Sequence, residues 1–337
     1  NGSLIYITSN KWMRAGYGEL LRGYLTQKTN PLLLIDFGET HVFESATVMT
    51  NILLFRNAEN KHSLKATQIS DDLNEARYLK SYVEERQFLC NFTGNESWVI
   101  MTHEKKILKQ KIEKEGIPLE QWDIQINYGI KTGYNPAYII TNDTRDLILS
   151  ECMSDAERER TNKLLRPILK GKDIKKYGHN WSHAGKWLIN VHNGVKGRLK
   201  RVDVEEYYSV KKFMNQYMAR LSRRADKGDT PYNLRNCAYI ELFDEPKIMY
   251  PNMTKYLPFY YDKEGFFTND KGFIITGKHL SYLVAFLNSS LFKYAFYDNF
   301  TPLFGGSREI RKIFIEKIPV KDVDDKTNLE FQKIVDD

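Results

Sequence analysis

The chain has 337 residues, of which 42% are hydrophobic and 28% charged, a length for about two domains and the composition of an ordinary globular protein. Its longest apolar runs, such as residues 32–35, fall far short of the roughly 20 residues that a membrane-spanning helix needs. The net charge of +7 hides an asymmetry: residues 158–224 carry 18 Lys and Arg against 5 Asp and Glu, while both flanks are slightly acidic. A block of this kind is the footprint expected for a phosphate backbone, because each neutralised phosphate releases counterions. Basic faces also serve solubility. The aromatics interleaved with this block (Tyr177, Trp181, Trp187, Tyr207, Tyr208, Phe213 and Tyr217) suit nucleic acid better. The three cysteines, Cys90, Cys152 and Cys237, lie far apart and suit a reducing, cytoplasmic setting. The opening Asn-Gly-Ser-Leu-Ile has neither an initiator Met nor a basic n-region, so a fragment of something longer, with no signal peptide, is expected.

In chain order, residues 4–8 read as a short strand. Residues 12–25 read as an amphipathic helix with Leu20, Leu21, Tyr24 and Leu25 at helical spacing. Residues 32–37 and 46–55 read as two more strands joined through a turn at 38–45. This is the grammar of the trailing edge of an α/β sheet ending in a hairpin. Residues 58–121 are more polar and read as a helical bridge, with one helix opened by Ser70, Asp71 and Asp72 and another capped by Thr102. From Trp122 the pattern changes to strand at 124–128, turn at 131–135 and strand again at 137–141. Ser154 and Glu157 form a capping box ahead of a helix to Leu165. Residues 203–224 read as one long helix with Tyr207, Val210, Met214, Tyr217 and Leu221 on a stripe. Lys211, Lys212, Arg220, Arg223 and Arg224 lie off that stripe, placed to face a polyanion. Strands at 238–243 and 247–250, a hairpin over 266–275 and an apolar helix over 280–297 complete the pattern.

No residue set points to self-sufficient catalysis. His179, His183 and His192 lack the third and fourth ligands of a zinc site, so no metal is expected. Asp229, Glu245 and Lys247 follow the spacing of magnesium-dependent nucleases, a pattern that arises readily by chance in a charged chain. Gly16-Tyr17-Gly18 lacks the rest of a dinucleotide fingerprint. Base contacts need Asn, Gln, Arg or Lys on turns that reach a groove. Two loops offer them: Lys131 and Asn135 on one, Tyr232, Asn233 and Arg235 on the other. Phosphate contacts are expected among Lys170, Lys172, Lys175, Lys176, Arg198, Lys200, Arg201, Lys211, Arg223 and Arg224.

Ile7-Thr8-Ser9-Asn10-Lys11-Trp12, then Tyr17-Gly18, Leu21-Arg22, Ile35-Asp36-Phe37 and Val42-Phe43 before Thr47-Val48, resemble adenine-specific DNA methyltransferases of the TaqI type and the related type IIG restriction–modification enzymes. The remainder resembles that family's C-terminal target-recognition domain through Gly129-Ile130-Lys131-Thr132-Gly133-Tyr134-Asn135, Arg166-Pro167-Ile168-Leu169-Lys170-Gly171-Lys172-Asp173-Ile174, Arg224-Ala225-Asp226-Lys227-Gly228-Asp229-Thr230 and residues 283–291. The resemblance implies an α/β tail of a Rossmann-like methyltransferase sheet at 1–57, a helical bridge at 58–121 and an α+β DNA target-recognition domain at 122–337. It implies double-stranded DNA as partner, with an upstream methyltransferase domain, and in type IIG enzymes a nuclease domain, on the same polypeptide. The parent enzyme would use S-adenosylmethionine, whose binding loop, like the Asn-Pro-Pro-Tyr catalytic motif, would lie upstream of Asn1. Phe43 matches the aromatic that stacks on the flipped adenine, a base that needs an apolar face once it leaves the helix. The alternatives are a stand-alone DNA-binding specificity module without chemistry, or a magnesium-dependent nuclease.

Overall fold

A computed structural model describes residues 2–38, 40, 42–43, 48–69 and 78–336. The opening of the helix expected at Ser70 lies outside the described residues, as do residues 39, 41, 44 and 45 of the 38–45 turn. The fold is mixed α/β and divides into two units, residues 1–115 with 294–309, and residues 116–293 with 310–337. No helix among the described residues is long and apolar enough to cross a membrane.

The first unit is built on β1 (Ser3–Ser9), α1 (Glu19–Lys28), β2 (Asn30–Asp36), β3 (Thr50–Arg56), β4 (Leu64–Gln68), α2 (Leu79–Arg86), β5 (Phe88–Cys90) and α3 (His103–Glu115). Its five strands run in the order β1-β3-β2-β4-β5. β2 and β3 pair antiparallel, as the hairpin pattern predicts. However, β4 pairs parallel to β2 and β5 pairs antiparallel to β4. The stretch read as a helical bridge therefore begins by extending the sheet. Its helical parts are α2 and α3, and before α3 Thr102 Oγ1 accepts from Lys105 N at 3.4 Å.

The helix expected over 12–25 is also different. Short 3-10 turns at Asn10–Met13 and Gly16–Gly18 come first, and α1 starts only at Glu19. Its inward face carries Arg22 and Leu25, whereas Leu20 is 84% exposed, with Leu21 and Tyr24 also exposed. Arg22 is tolerated inside because Nε donates to Asn95 O at 3.0 Å and Nη1 to Trp12 O and Ala15 O at 2.5 and 2.9 Å. Strand β1 leaves Leu4, Ile5, Tyr6 and Ile7 exposed as well.

The second unit holds β6 (Ile124–Tyr128), β7 (Ile139–Thr141), α4 (Asn142–Ser150), α5 (Asp155–Leu164), β8 (Leu165–Leu169), β9 (Lys186–Ile189), α6 (Tyr208–Asn215), α7 (Met218–Arg223), β10 (Lys247–Pro251), β11 (Tyr260–Asp262), β12 (Phe267–Thr268), β13 (Gly272–Gly277), α8 (Leu280–Asn288) and a C-terminal helix, Asp325–Asp336. Two four-stranded sheets form, β12-β8-β9-β7 and β11-β10-β13-β6. The expected hairpins at 124–141 and 266–275 are thus each split, with one strand in each sheet. Gly129 sits where the sheets meet: its N–H donates to Gly272 O at 2.9 Å, and a Cβ there would lie 2.0 Å from Asn269 O. Only glycine fits so close a backbone approach.

Ser154 caps α5 as expected, with Glu157 N donating to Ser154 Oγ at 3.1 Å. The return half of the box shifts by one residue: Glu157 Oε2 accepts from Met153 N at 2.8 Å and not from the cap's own N–H. The long helix at 203–224 is interrupted at Gln216 and Tyr217 into α6 and α7, yet the stripe holds: Val210, Met214 and Leu221 are fully buried. The apolar helix at 280–297 likewise breaks at Ser289, and 238–243 forms a 3-10 turn at Ile240–Phe243 where a strand was expected.

Candidate nucleic-acid interface

The basic stretch reaches the surface of the second unit along two loops and two helices. Lys172, Lys175, Lys176, Lys200 and Arg223 are exposed, and Lys170, Arg201 and Lys211 are half-buried. Several already have partners. Lys175 Nζ donates to Lys172 O at 2.8 Å, Lys176 Nζ to Asn288 O at 2.8 Å, and Lys211 Nζ to Glu205 Oε2 at 2.6 Å. Burial, and then the nearby Lys293 charge, holds the Lys176 ammonium below the usual lysine range. Arg198 Nη2 donates to Ala238 O at 2.9 Å and its Nε lies 2.5 Å from Glu241 Oε2.

Residues 194–201 form a basic turn beside an open cleft of about 800 Å³ that Lys196, Arg198, Lys200 and Arg201 line together with Asn193, Asp229 and Asn236. Gly194 has φ +74°, and a Cβ there would come within 2.6 Å of both Arg201 N and Leu199 O. The turn is pinned at its start by Gly194 N donating to His192 Nδ1 at 3.1 Å. Burial lowers the pKa of His192, which keeps that nitrogen free to accept. The cleft floor is an amide network: Asp229 N donates to Asn193 Oδ1 at 2.8 Å, and Asn193 Nδ2 to Asp229 Oδ1 at 3.1 Å and to Asn236 Oδ1. Lys196, Asn193 and Asn236 were not singled out from the sequence. The Asn-Gly and Lys-Gly pairs inside a basic run were the available signal for this turn.

Arg224, expected at phosphate, is the clearest correction. It is 8% exposed, and its guanidinium donates to Thr132 O at 2.6 Å, Pro231 O at 3.2 Å, Tyr138 Oη, Asp226 O and Asn233 O. Through Nη1 and Nη2 this side chain joins the two candidate loops to each other. Asn233, expected at a base edge, is 1% exposed; its Nδ2 donates to Val202 O and His192 O at 3.0 and 3.2 Å, and its Oδ1 accepts from Thr230 Oγ1 at 2.6 Å. Its bonding capacity is spent on the fold. Asn135 on the first loop is exposed, and its Oδ1 accepts from Thr132 Oγ1 at 2.7 Å. Tyr232 packs against the core and donates its hydroxyl to Asn215 Oδ1 at 2.6 Å. Lys131 and Arg235 remain outward, both paired with Asp226.

Most of the interleaved aromatics are also structural. Tyr207, Phe213, Tyr217, Trp181 and Trp187 pack on the core, and Trp181 and Trp187 meet edge to face at 5.1 Å, whereas Tyr177 and Tyr208 are exposed. In the first unit Phe43 is 43% exposed and lies in no helix or strand, so core packing does not explain it. The chain leading to it leaves β2 at Asp36, a buried carboxylate that accepts from Asn10 Nδ2 at 2.8 Å and Gly38 N at 3.0 Å and lies 3.5 Å from Arg14 Nη2.

The nuclease pattern is overturned. Lys247 is fully buried, pairs with the equally buried Asp262 at 2.5 Å and donates to Phe243 O at 2.6 Å. Burial, only partly offset by Asp262, lowers its pKa. No attacking group can approach such a lysine. Asp229 is committed to the Asn193 network, and among the described residues no cluster of three or more His, Cys, Asp or Glu is placed to hold a metal. His179 instead bonds Glu264 at 3.2 Å.

Residues 166–320 match the family model of the TaqI-like C-terminal specificity domain, and residues 1–43 match that of the Eco57I restriction-modification methylase. The chain is 22% identical over 366 residues to the type II methyltransferase M.BstVI of Geobacillus stearothermophilus, an alignment that takes in 100% of this chain and 61% of the relative. It is 27% identical over 139 residues to the type II restriction enzyme and methyltransferase RM.Eco57I of Escherichia coli, covering 41% of this chain and 14% of that one. The chain thus spans about three-fifths of the first relative and a small part of the second. Among solved structures, the type IIL restriction-modification enzyme MmeI in complex with DNA is similar over 99% of this chain and 41% of its own length, with a TM-score of 0.55 and 11% identity, a likeness of fold.

Proposed function

We propose, from the homology of this chain to TaqI-like specificity domains and Eco57I-type methylases, that it is the DNA-recognition portion of an adenine-specific DNA methyltransferase of a restriction–modification system. The observation that carries the proposal is the coincidence of the specificity-domain match at 166–320 with the basic block at 158–224, whose cations are largely presented at the surface. The first unit is the end of a Rossmann-like methyltransferase sheet, and the second is the target-recognition domain. The exposed apolar residues of β1 and α1 support a further methyltransferase portion of the same polypeptide covering them, since uncovered apolar faces of this kind mark contact surfaces. A nuclease domain on that polypeptide would follow the type IIG pattern.

In the parent enzyme S-adenosylmethionine supplies the methyl group. The residues described here do not form its cradle. Asp36, the acidic group that ends β2, is buried, with Oδ1 taken up by Asn10 and Gly38 and Oδ2 beside Arg14, so it is not exposed to a ribose hydroxyl. What this chain contributes is position. Exposed cations hold phosphates and set register, and Phe43 offers an apolar face to an extruded adenine.

The test is a titration of fluorescent duplex DNA between about 50 and 200 mM salt. Replacing Lys172, Lys175, Lys200 and Arg223 together by Ala should flatten the plot of log affinity against log salt by about three to four units. An unchanged slope removes the basic block as the footprint. Encoded residues before Asn1 that include Asn-Pro-Pro-Tyr would favour the methyltransferase over a stand-alone specificity module.

A further inference from the structure

Two exposed cations on separate loops converge on one carboxylate. Lys131 Nζ lies 3.1 Å from Asp226 Oδ2, and Arg235 Nη1 lies 3.3 Å from Asp226 Oδ1, so each oxygen holds one cation. The arrangement is built into the backbone. Lys227 and Leu234 form an antiparallel bridge, which sets Asp226 and Arg235 opposite each other at the mouth of the loop. Asp226 O accepts from Arg224, whose guanidinium also holds Thr132 O and so fixes the neighbouring loop. That loop turns at Gly133 with φ +68°, where a Cβ would sit 3.1 Å from Asp226 Cβ. The loops are therefore packed against each other through Asp226, and its carboxylate is 24% exposed while Lys131 and Arg235 are about half exposed at 49% and 59%.

A surface selected only for attraction to phosphate gains nothing from a carboxylate at its centre. Asp226 halves the charge that the two cations present and adds repulsion toward a polyanion. What it supplies is geometry and restraint. A phosphate met at random has to pull each cation off the carboxylate, whereas a groove edge that meets the pair where it is held does not. We propose that Asp226 is a positioning residue that presents Lys131 and Arg235 as a preformed pair and withholds both from non-specific phosphate. The proposal rests on the DNA-binding reading above and adds to it a specificity device on the two loops.

The test measures binding of the full 337-residue chain to a random-sequence duplex across a salt series, for the wild type, D226N, D226S and the conservative D226E, each also in a K131Q/R235Q background. Freed cations should tighten binding by D226N and D226S about 2- to 30-fold, the range that two exposed ion pairs span, and steepen the salt dependence by about one unit. D226E should restore the wild-type slope. In the K131Q/R235Q background the gain should be measurably smaller than in the wild-type background, because only the loss of repulsion remains. Equal gains in both backgrounds, or no gain from either neutral variant while the wild type binds DNA normally, would overturn the role of Asp226. A wild-type chain that fails to bind duplex DNA at low salt overturns the DNA-binding reading itself, and the proposal with it.

Discussion

Replacing Arg224 by Ala should unfold the second unit far more easily, although the position sits at the end of a basic run and looks like a surface cation. The guanidinium is 8% exposed and satisfies four backbone carbonyls, of Thr132, Asp226, Pro231 and Asn233, besides the Tyr138 hydroxyl. It also lies 4.8 Å from the centre of the Tyr138 ring. Each acceptor left buried without a donor costs about 1–3 kcal/mol, and water entering the space left behind relieves part of that. A loss of about 3–5 kcal/mol follows, the usual range when a buried charged network is broken. At an m-value of about 3 kcal/mol/M for a unit of this size, the urea midpoint should fall by roughly 1–1.7 M, read from the fluorescence of Trp181 and Trp187. R224K keeps the charge but offers three donors in place of five and should recover about half of the loss. R223A, one residue earlier and exposed, should shift the midpoint by less than about 0.2 M. If R224A and R223A shift it equally, Arg224 is not the tie between the two loops.

Asn233→Ala should behave as a fold mutation, costing about 2–3 kcal/mol by thermal melting, because three part-buried hydrogen bonds of a buried side chain are lost together. A fully stable N233A that loses DNA discrimination would restore it as a base reader. Lys247→Met leaves the buried Asp262 carboxylate with only the N–H groups of Glu264 and Phe266 and should cost about 3–5 kcal/mol; a melting point within 2 °C of wild type would contradict this. Burial pushes the Cys237 thiol up to about 11, so alkylation at pH 8 should run about a hundredfold below that of an ordinary thiol and rise about tenfold per pH unit up to pH 10. Its raised folded value contributes stability below the unfolded value near 9 that is lost as pH climbs through 11. Glu157 shifts the other way: burial raises it, but the N–H groups of Ser209 and Met153 outweigh this and hold it below the usual glutamate range. Its contribution is therefore present above the unfolded value and lost as acid is added, and E157Q should flatten the acid side of the stability curve.

What local chemistry encodes was legible in the sequence. The block of charge at 158–224 reached the surface largely as expected, since an unpaired Lys or Arg is rarely left inside. The Ser154–Glu157 cap and the buried stripe of Val210, Met214 and Leu221 followed from spacing alone, even though the helix carrying the stripe is broken. Tertiary structure decided the rest. Helical spacing marked Leu20, Leu21 and Tyr24 as a face but not which way it points, and three carbonyls converging on Arg22 turned the charged side inward. The pairing of β6 with β13, not β7, joins residues about 150 apart, which no local pattern records. Arg223 and Arg224 are neighbours with the same charge in the same basic run, and one is exposed while the other is a buried tie between loops. The difference lies in carbonyls supplied from residue 132 and from 226–233, whose meeting point exists only once the chain has folded.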